Sequence, residues 1–567
     1  MNESLTYKTE KKIYDLLPHE PETIGATLFI IAMSCYYLWR MFAITPVYDE
    51  LYTYYTFISR GPFYAAIHWP LPNNHVGYSV LSAILDLFGN PYIGLRGVSL
   101  VCAVTNLVLI YRICKRYYSH GLGFAAMVLY ASMQIVTEYS VQGRGYTLST
   151  TCFLLSIYIA GYICSANDTP KSYYRYLAVC FVLGLYTVPS SVYWVIPISV
   201  AIGAYLIINA IASSDVRGKL RETVYYKKFS TFFIYGVIAA FVTTVLYMII
   251  WLAIGSNLLV KTEGSEFYGL SHGTVLLRAP VSSMLKGVEY MLSQPYIQSL
   301  SVEDFNERCF GWGMSLLNYM VPNMSWMLLI IILLSLVIAL LECIRHLAYS
   351  RTVINLIIVS NVVVTTAMLF IQHKLPYLRV FSYGAFIVCA CVVTCLERLI
   401  NNCIRLYNRY KTKKNADKED SKMVVNEFEN AIKGDKWYSG LGVYVPLFLI
   451  LIFFIMRLSS YQFNAQLGER ENDVFNTLYI ADVRRRHNVA AIDCDQQYLL
   501  KFGWDIDCNK TDVDGADMVI LDKNLLEPGY SGPDFWKFYQ TYETINWDYI
   551  DTMRAIYENE NFILYIK

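Results

Sequence analysis

The stretch that decides the fold is TIGATLFIIAMSCYYLWRMFAITPVYDELYT, residues 23–53. Its first part, Thr23–Ala43, is apolar and long enough to cross a bilayer, which takes roughly 20 residues. The chain then leaves the apolar phase and at once presents Val47-Tyr48-Asp49-Glu50-Leu51-Tyr52-Thr53. Two adjacent carboxylates at a membrane edge are neither core nor ordinary loop chemistry. They point to a site that handles protons or cations beside the bilayer.

Outward from this stretch the same pattern repeats. With 55% hydrophobic and 16% charged residues and a mean hydropathy of +0.36, a 567-residue chain is too apolar for a soluble globule. Apolar runs predict about eleven spans, at 23–43, 91–111, 121–138, 147–164, 176–190, 191–212, 229–254, 325–342, 353–371, 380–396 and 441–457. Pro189-Ser190-Ser191 divides the fifth from the sixth. The short apolar stretch 74–89 reads as an interfacial or re-entrant helix, with one extra span as the alternative. The net charge of +1 selects no partner, and nothing suggests nucleic acid.

Lys and Arg alternate between the loops, which sets orientation. Arg112, Lys115 and Arg116, then Lys171 and Arg175, then the basic residues of 217–228, Arg345 and Arg351, and the loop 397–440 fall on one side. The opposite loops are poor, with Arg60 alone in 44–74 and Arg144 alone in 139–146. The expectation is a plasma-membrane, multi-pass protein. Its amino terminus (1–22) is cytoplasmic, and Asp49-Glu50 lies outside. No cleavable signal peptide is expected. The transmembrane domain, 23–457, carries exoplasmic loops 44–90 and 255–324, the latter with a helical pattern at Val281–Leu292. The stretch 411–436 reads as a charged cytoplasmic linker. The exoplasmic tail, 458–567, reads as a small α/β domain with buried strands at Val489–Ile492 and Met518–Leu521 and an edge strand at Phe562–Ile566.

Of fourteen cysteines, most sit in or beside spans as small apolar packers. Cys494 and Cys508 are placed where a disulfide could form. No Cys-x-x-Cys pair, zinc spacing, phosphate-binding Gly-rich loop or Gly-x-Ser-x-Gly turn is present, which argues against an ATP-driven pump.

Three short exoplasmic connections concentrate polar groups: His68 to Tyr78, Glu138 to Tyr146, and Gln372 to Arg379. Carboxylates, imidazoles, guanidinium groups and aromatic rings at one membrane face suit an anionic lipid phosphate and a sugar. A carboxylate there can also take a proton from a hydroxyl. The competing structural roles are a helix start for Asp49-Glu50, snorkelling anchors for Arg144, Lys374 and Arg379, hydrogen-bonded scaffolding for the histidines, and interface-belt positions for the tyrosines.

VYDELYTYYT, NNHVGYSVL, Arg96-Gly97-Val98-Ser99 and YSVQGRGYTL together resemble bacterial membrane glycosyltransferases of the GT-C class. The similarity is to the branch of the protein O-mannosyltransferases and the lipid A aminoarabinose transferase. It covers roughly the first 210 residues by motif and the remainder by architecture. The resemblance implies a GT-C-like helical membrane fold and transfer of a sugar from a polyprenyl-phosphate-linked donor to a glycan, lipid or protein acceptor at the exoplasmic face. It implies Asp49 as base, with Glu50 positioning the acceptor or a bound cation. Arg144, Lys374 and Arg379 are then candidates for the phosphate, Asn74 and His75 for the donor, and His68 and Trp69 for the acceptor or sugar. Tyr146 joins the substrate-binding set. A divalent cation is the one cofactor left open. Attack opposite the lipid phosphate would invert the anomeric centre. The rival reading is a transporter or lipid-linked glycan flippase, against which stand spans nearly free of ionisable groups. A non-catalytic glycan-binding scaffold is the third class.

Overall fold

In the computed structural model, the described residues are 20–567 apart from 69–72, 120, 166–167, 215–219, 294–296, 346–350, 417–440, 460–464, 481–487, 507, 509–511 and 531–539. Trp69, most of the amino-terminal segment and most of the charged linker lie outside them.

The first half of the chain runs α1 (Pro21–Ala43), α2 (Tyr48–Thr56), α3 (Pro62–Ile67), α4 (Val76–Asp86), α5 (Pro91–Tyr117), α6 (Leu122–Ala131), α7 (Gln134–Tyr139), α8 (Tyr146–Ile163), α9 (Lys171–Thr187), α10 (Val192–Ala212) and α11 (Val224–Lys261). After it come α12 (His272–Arg278), α13 (Pro280–Ser293), α14 (Val302–Met320), α15 (Ser325–Arg345), α16 (Arg351–Gln372), α17 (Gly384–Ala416) and α18 (Leu441–Arg457). The tail holds α19 (Glu469–Ile480), α20 (Cys494–Trp504) and α21 (Trp547–Ile550) with four strands.

Among the described residues, eight helices are long and apolar enough to cross a membrane. All eleven expected spans are helical, but three are shorter than a full span. The run 121–138 is apolar up to Ala131 and breaks at Ser132-Met133 into α6 and α7. α9 and α18 each have 17 residues. Pro189 does divide the long apolar tract: α9 stops at Thr187 and α10 begins after a short turn at Pro189–Ser191, because proline lacks the N–H and restrains its predecessor. The stretch 74–89 forms α4, an 11-residue helix.

The chain separates into two units. One comprises Met1–Tyr36, Val101–Ser140 and Gly145–Phe463; the other comprises Tyr37–Leu100, Val141–Arg144 and Asn464–Lys567. In the first, α10 packs on α16, α9 on α8 and α11, and α15 on α16 and α17. Their basic-rich ends are tied by Arg351, which pairs with Glu397 and Glu342, while Ser119 donates to Glu397 through its amide (2.8 Å) and its hydroxyl (2.7 Å).

The second unit is built on a sheet of order β1-β2-β4-β3, with β1 (Val489–Ala490), β2 (Met518–Asp522), β3 (Arg554–Glu558) and β4 (Phe562–Ile566). β1 and β2 are parallel and joined through α20; β4 runs antiparallel to both β2 and β3. β4 is therefore interior, not the edge strand expected, and the exposed β3 takes the edge. β2 is buried at all five positions. Side chains alternate across it: Val519 and Leu521 enter one cluster with Ile545 and Ile550. Met518 and Ile520 enter the other, with Leu499, Leu500 and Phe502 and with Leu51, Tyr54 and Ile58 of the segment after α1. That segment completes the core of the tail. Cys494 and Cys508 are both buried free thiols, so the disulfide does not form; the Cys508 thiol donates to the Val489 carbonyl at 2.6 Å.

Candidate active site

A helix end leaves its last carbonyls without intrahelical partners. At the end of α1 these are met by Arg96, whose Nη1 donates to the carbonyls of Met41 (3.0 Å) and Ile44 (2.7 Å). The other side of the same guanidinium grips Glu50: Nε to Oε1 at 2.8 Å and Nη2 to Oε2 at 2.7 Å. Both side chains are wholly buried. Glu50 also accepts the amide of Val47 (3.1 Å) and the amide of Gly143 (2.6 Å). The first of these is the reach from the third helical position back to the cap that starts α2. Gly143 has to be glycine, since a Cβ there would meet the Leu95 side chain.

Glu50 is thus held by two donors on each oxygen and joins α1, α2, α5 and the 141–144 loop at one point. A carboxylate so engaged positions its neighbours and does not face a substrate. One residue earlier in the first turn of α2, Asp49 is half-buried. Its backbone is fixed as well: the Asp49 carbonyl accepts the Thr53 hydroxyl (2.7 Å) and Arg144 Nη1 (3.3 Å). Arg144, 2% exposed, donates further to the Thr53 hydroxyl at 2.7 Å and to the Asn73 amide oxygen. These three contacts engage three of the five N–H groups a guanidinium carries, and Nε is buried without a hydrogen-bond partner among the described residues.

Asn74 proves to be scaffolding. Its amide donates to the carbonyls of Ala65 and His68, each at 2.9 Å, and accepts the Ser79 hydroxyl at 2.8 Å. This closes the loop between α3 and α4. The His68 ring lies 4.5 Å from the Tyr64 ring, and His75, buried, immediately precedes α4. Tyr146, Lys374 and Arg379 belong to the other unit. Tyr146 is buried edge-on to Tyr139 at 5.2 Å. Arg379 sits over the Tyr377 ring at 4.9 Å, and half-buried Lys374 follows His373, whose φ is +46°.

Beside Asp49 lies a set of rings that sequence reading did not single out. Tyr55 stacks on Tyr498 at 5.5 Å and 12°, Tyr498 meets Tyr48 at 6.0 Å, and Tyr48 meets Tyr52 at 6.1 Å. All four are half-buried. Burial, reinforced by Cys494 alongside, pushes the Tyr48 hydroxyl pKa upward, so it stays neutral. Glu471 of α19 accepts the Tyr48 amide at 3.0 Å. Arg96, Gly143, Thr53, Asn73 and Glu471 are the other functional neighbours missed. For Arg96 the signal was present: a guanidinium at the start of an apolar helix implies a buried partner. Among the described residues, no three His, Cys, Asp or Glu side chains are grouped to hold a metal ion.

Residues 75–251, which include Arg96, Gly143 and Arg144, match the family model for dolichyl-phosphate-mannose-protein mannosyltransferases. The match covers less than a third of the chain. No curated protein sequence matches this chain. Similar solved structures include the oligosaccharyltransferase AglB of the archaeon Archaeoglobus fulgidus in complex with an inhibitory peptide and a dolichol-phosphate. It is 9% identical with a TM-score of 0.41, over 85% of this chain and 63% of that one. Another is an Archaeoglobus fulgidus oligosaccharyltransferase tethered to an acceptor peptide, 9% identical with a TM-score of 0.39, over 80% and 57%. The chain thus spans less than two thirds of the length of either. At these values the likeness assigns no residue and no substrate.

Proposed function

We propose that this protein transfers a sugar from a polyprenyl-phosphate-linked donor to an acceptor hydroxyl at the exoplasmic face, with Asp49 as the base. The observation that carries the reading is the division of labour in the acidic pair. Glu50 is consumed by Arg96, Gly143 and Val47, which leaves its neighbour as the carboxylate held in place for chemistry.

In the step, the acceptor oxygen forms a bond to the anomeric carbon while the bond from that carbon to the lipid phosphate breaks. The electron pair leaves on the phosphate, and the hydroxyl proton passes to Asp49. Inversion follows from attack opposite the leaving group. Lys374 and Arg379 are assigned to the departing phosphate, whose charge needs cationic partners, and Arg144 to the placement of the helix that bears Asp49. His68, His75 and Trp69 are assigned to the sugar, and the tyrosines around Asp49 offer flat apolar faces for a sugar ring. The matched family bears a dolichyl-phosphate-linked sugar in its name, which supports a donor of this chemistry.

Lipid mass spectrometry on membranes of cells with and without the gene tests the reading. Accumulation of one polyprenyl-phosphate-sugar in the deleted cells is the expected result, and it names the sugar. An unchanged lipid-linked sugar profile would reject this donor class.

A further inference from the structure

We propose that α13 is an amphipathic helix seated in the lipid leaflet at the carboxy-terminal end of α11, its apolar arc against acyl chains. The inference does not depend on the sugar-transfer reading. At 100° per residue, α13 presents three separate faces. Ser283 and Gly287 are buried and meet the α11 backbone: a Cβ on Gly287 would overlap the Trp251 carbonyl oxygen, and one on Gly255 would overlap that of Ser283. Ser283 and Gly287, four apart on α13, and Gly255 on α11 allow this approach, as small residues do between helices in membranes.

The second face is apolar and left open. Val281, Leu285 and Leu292 are 63%, 61% and 76% exposed, flanked by half-buried Met284, Val288 and Met291. Leu277 of the preceding α12 is 88% exposed. The third face holds Ser282, Lys286, Glu289 and Ser293, with Lys286 and Glu289 paired at 3.0 Å. An apolar arc beside a charged arc is the pattern of a helix lying in a membrane interface.

The surface on which α13 is docked identifies the occupant. α11 has 38 residues, roughly 57 Å at 1.5 Å per residue, against a hydrocarbon core of about 30 Å. Exposed apolar side chains run along it, including Phe233, Val237, Phe241, Val245 and Ile249. The open face of α13 continues this lipid-facing surface at the border of the hydrocarbon, toward the carboxy-terminal end of α11. Acyl chains and the glycerol region match an apolar arc bordered by a Lys–Glu pair.

The test is photocrosslinking of the full-length protein in nanodiscs of phosphatidylethanolamine and phosphatidylglycerol. p-Benzoylphenylalanine replaces Leu285 in one variant and Ser282 in another; both positions are exposed, so folding tolerates either. Mass spectrometry after irradiation should find phospholipid adducts many-fold more abundant at 285 than at 282. Equal adducts at the two positions, none at 285, or crosslinks from 285 to a second copy of the chain would each overturn the proposal.

Discussion

Asp49 and Glu50 are adjacent in sequence and divided in role by a single guanidinium. Removing that guanidinium strands a buried carboxylate, which costs about 3–5 kcal/mol. Arg96→Ala should therefore lower the unfolding temperature sharply in detergent, and Arg96→Lys should recover little, since a point charge cannot grip two oxygens and two carbonyls together. An unchanged melting temperature for Arg96→Ala would contradict the pairing. Arg144 acts on the helix that bears Asp49, through Thr53 and the Asp49 carbonyl. Arg144→Lys is expected to cut turnover roughly 100-fold, as small misplacements do, with little change in the donor KM. Lys374→Gln and Arg379→Gln should instead raise that KM. The acidic pair stood out because it directly follows a span, and Glu50 also takes the helix-start role that competed with a chemical one. Asn74 was misread because a polar side chain spent on backbone carbonyls looks, in sequence, like one kept for a ligand.

At the scale of elements, long apolar helices and the interruption at Pro189 were legible, and the one at Ser132-Met133 was not. The break at Ser132-Met133 was passed over although Ser132 and Gln134 end the apolar stretch, and the short, exposed β3 carries no alternation to mark it as a strand. That omission made β4 look like an edge. α20 carries a further consequence. Asp495 is wholly buried, and neither carboxylate oxygen has a hydrogen-bond partner among the described residues. Burial first, then Glu471 and Asp493, hold its pKa well above the usual carboxylate value, against the opposing pull of Arg470. The folded state thus keeps a proton that the unfolded state loses above about pH 3.9. Stability contributed by this group falls as pH rises from there through the raised folded value. Asp495→Asn should flatten that fall and raise the melting temperature at neutral pH. Melting curves at pH ~5 and ~8 for wild type and variant check it; identical slopes would leave Asp495 ionised and the argument wrong.

For the whole molecule, the least legible feature is that the tail does not close its core alone. Leu51, Tyr54 and Ile58 lie more than 400 residues before the Leu499, Leu500 and Phe502 they join, and no local pattern encodes such a pairing. The pairing couples the candidate base to the α/β tail through Tyr48 and Glu471. The alternation of basic loops makes a separate expectation: an epitope tag inserted at 417–440 should be reached only from the cytoplasm, and one appended after Lys567 only from outside. Both tags on one face would mean that 441–457 does not cross the membrane. The central claim, that Asp49 is the base, is tested most directly by sugar transfer from purified polyprenyl-phosphate-sugar in nanodiscs by Asp49→Asn. The amide keeps the shape of the carboxylate and cannot take the proton, so turnover should fall about 100- to 10,000-fold with the melting temperature unchanged. Turnover near that of the wild type would contradict the account.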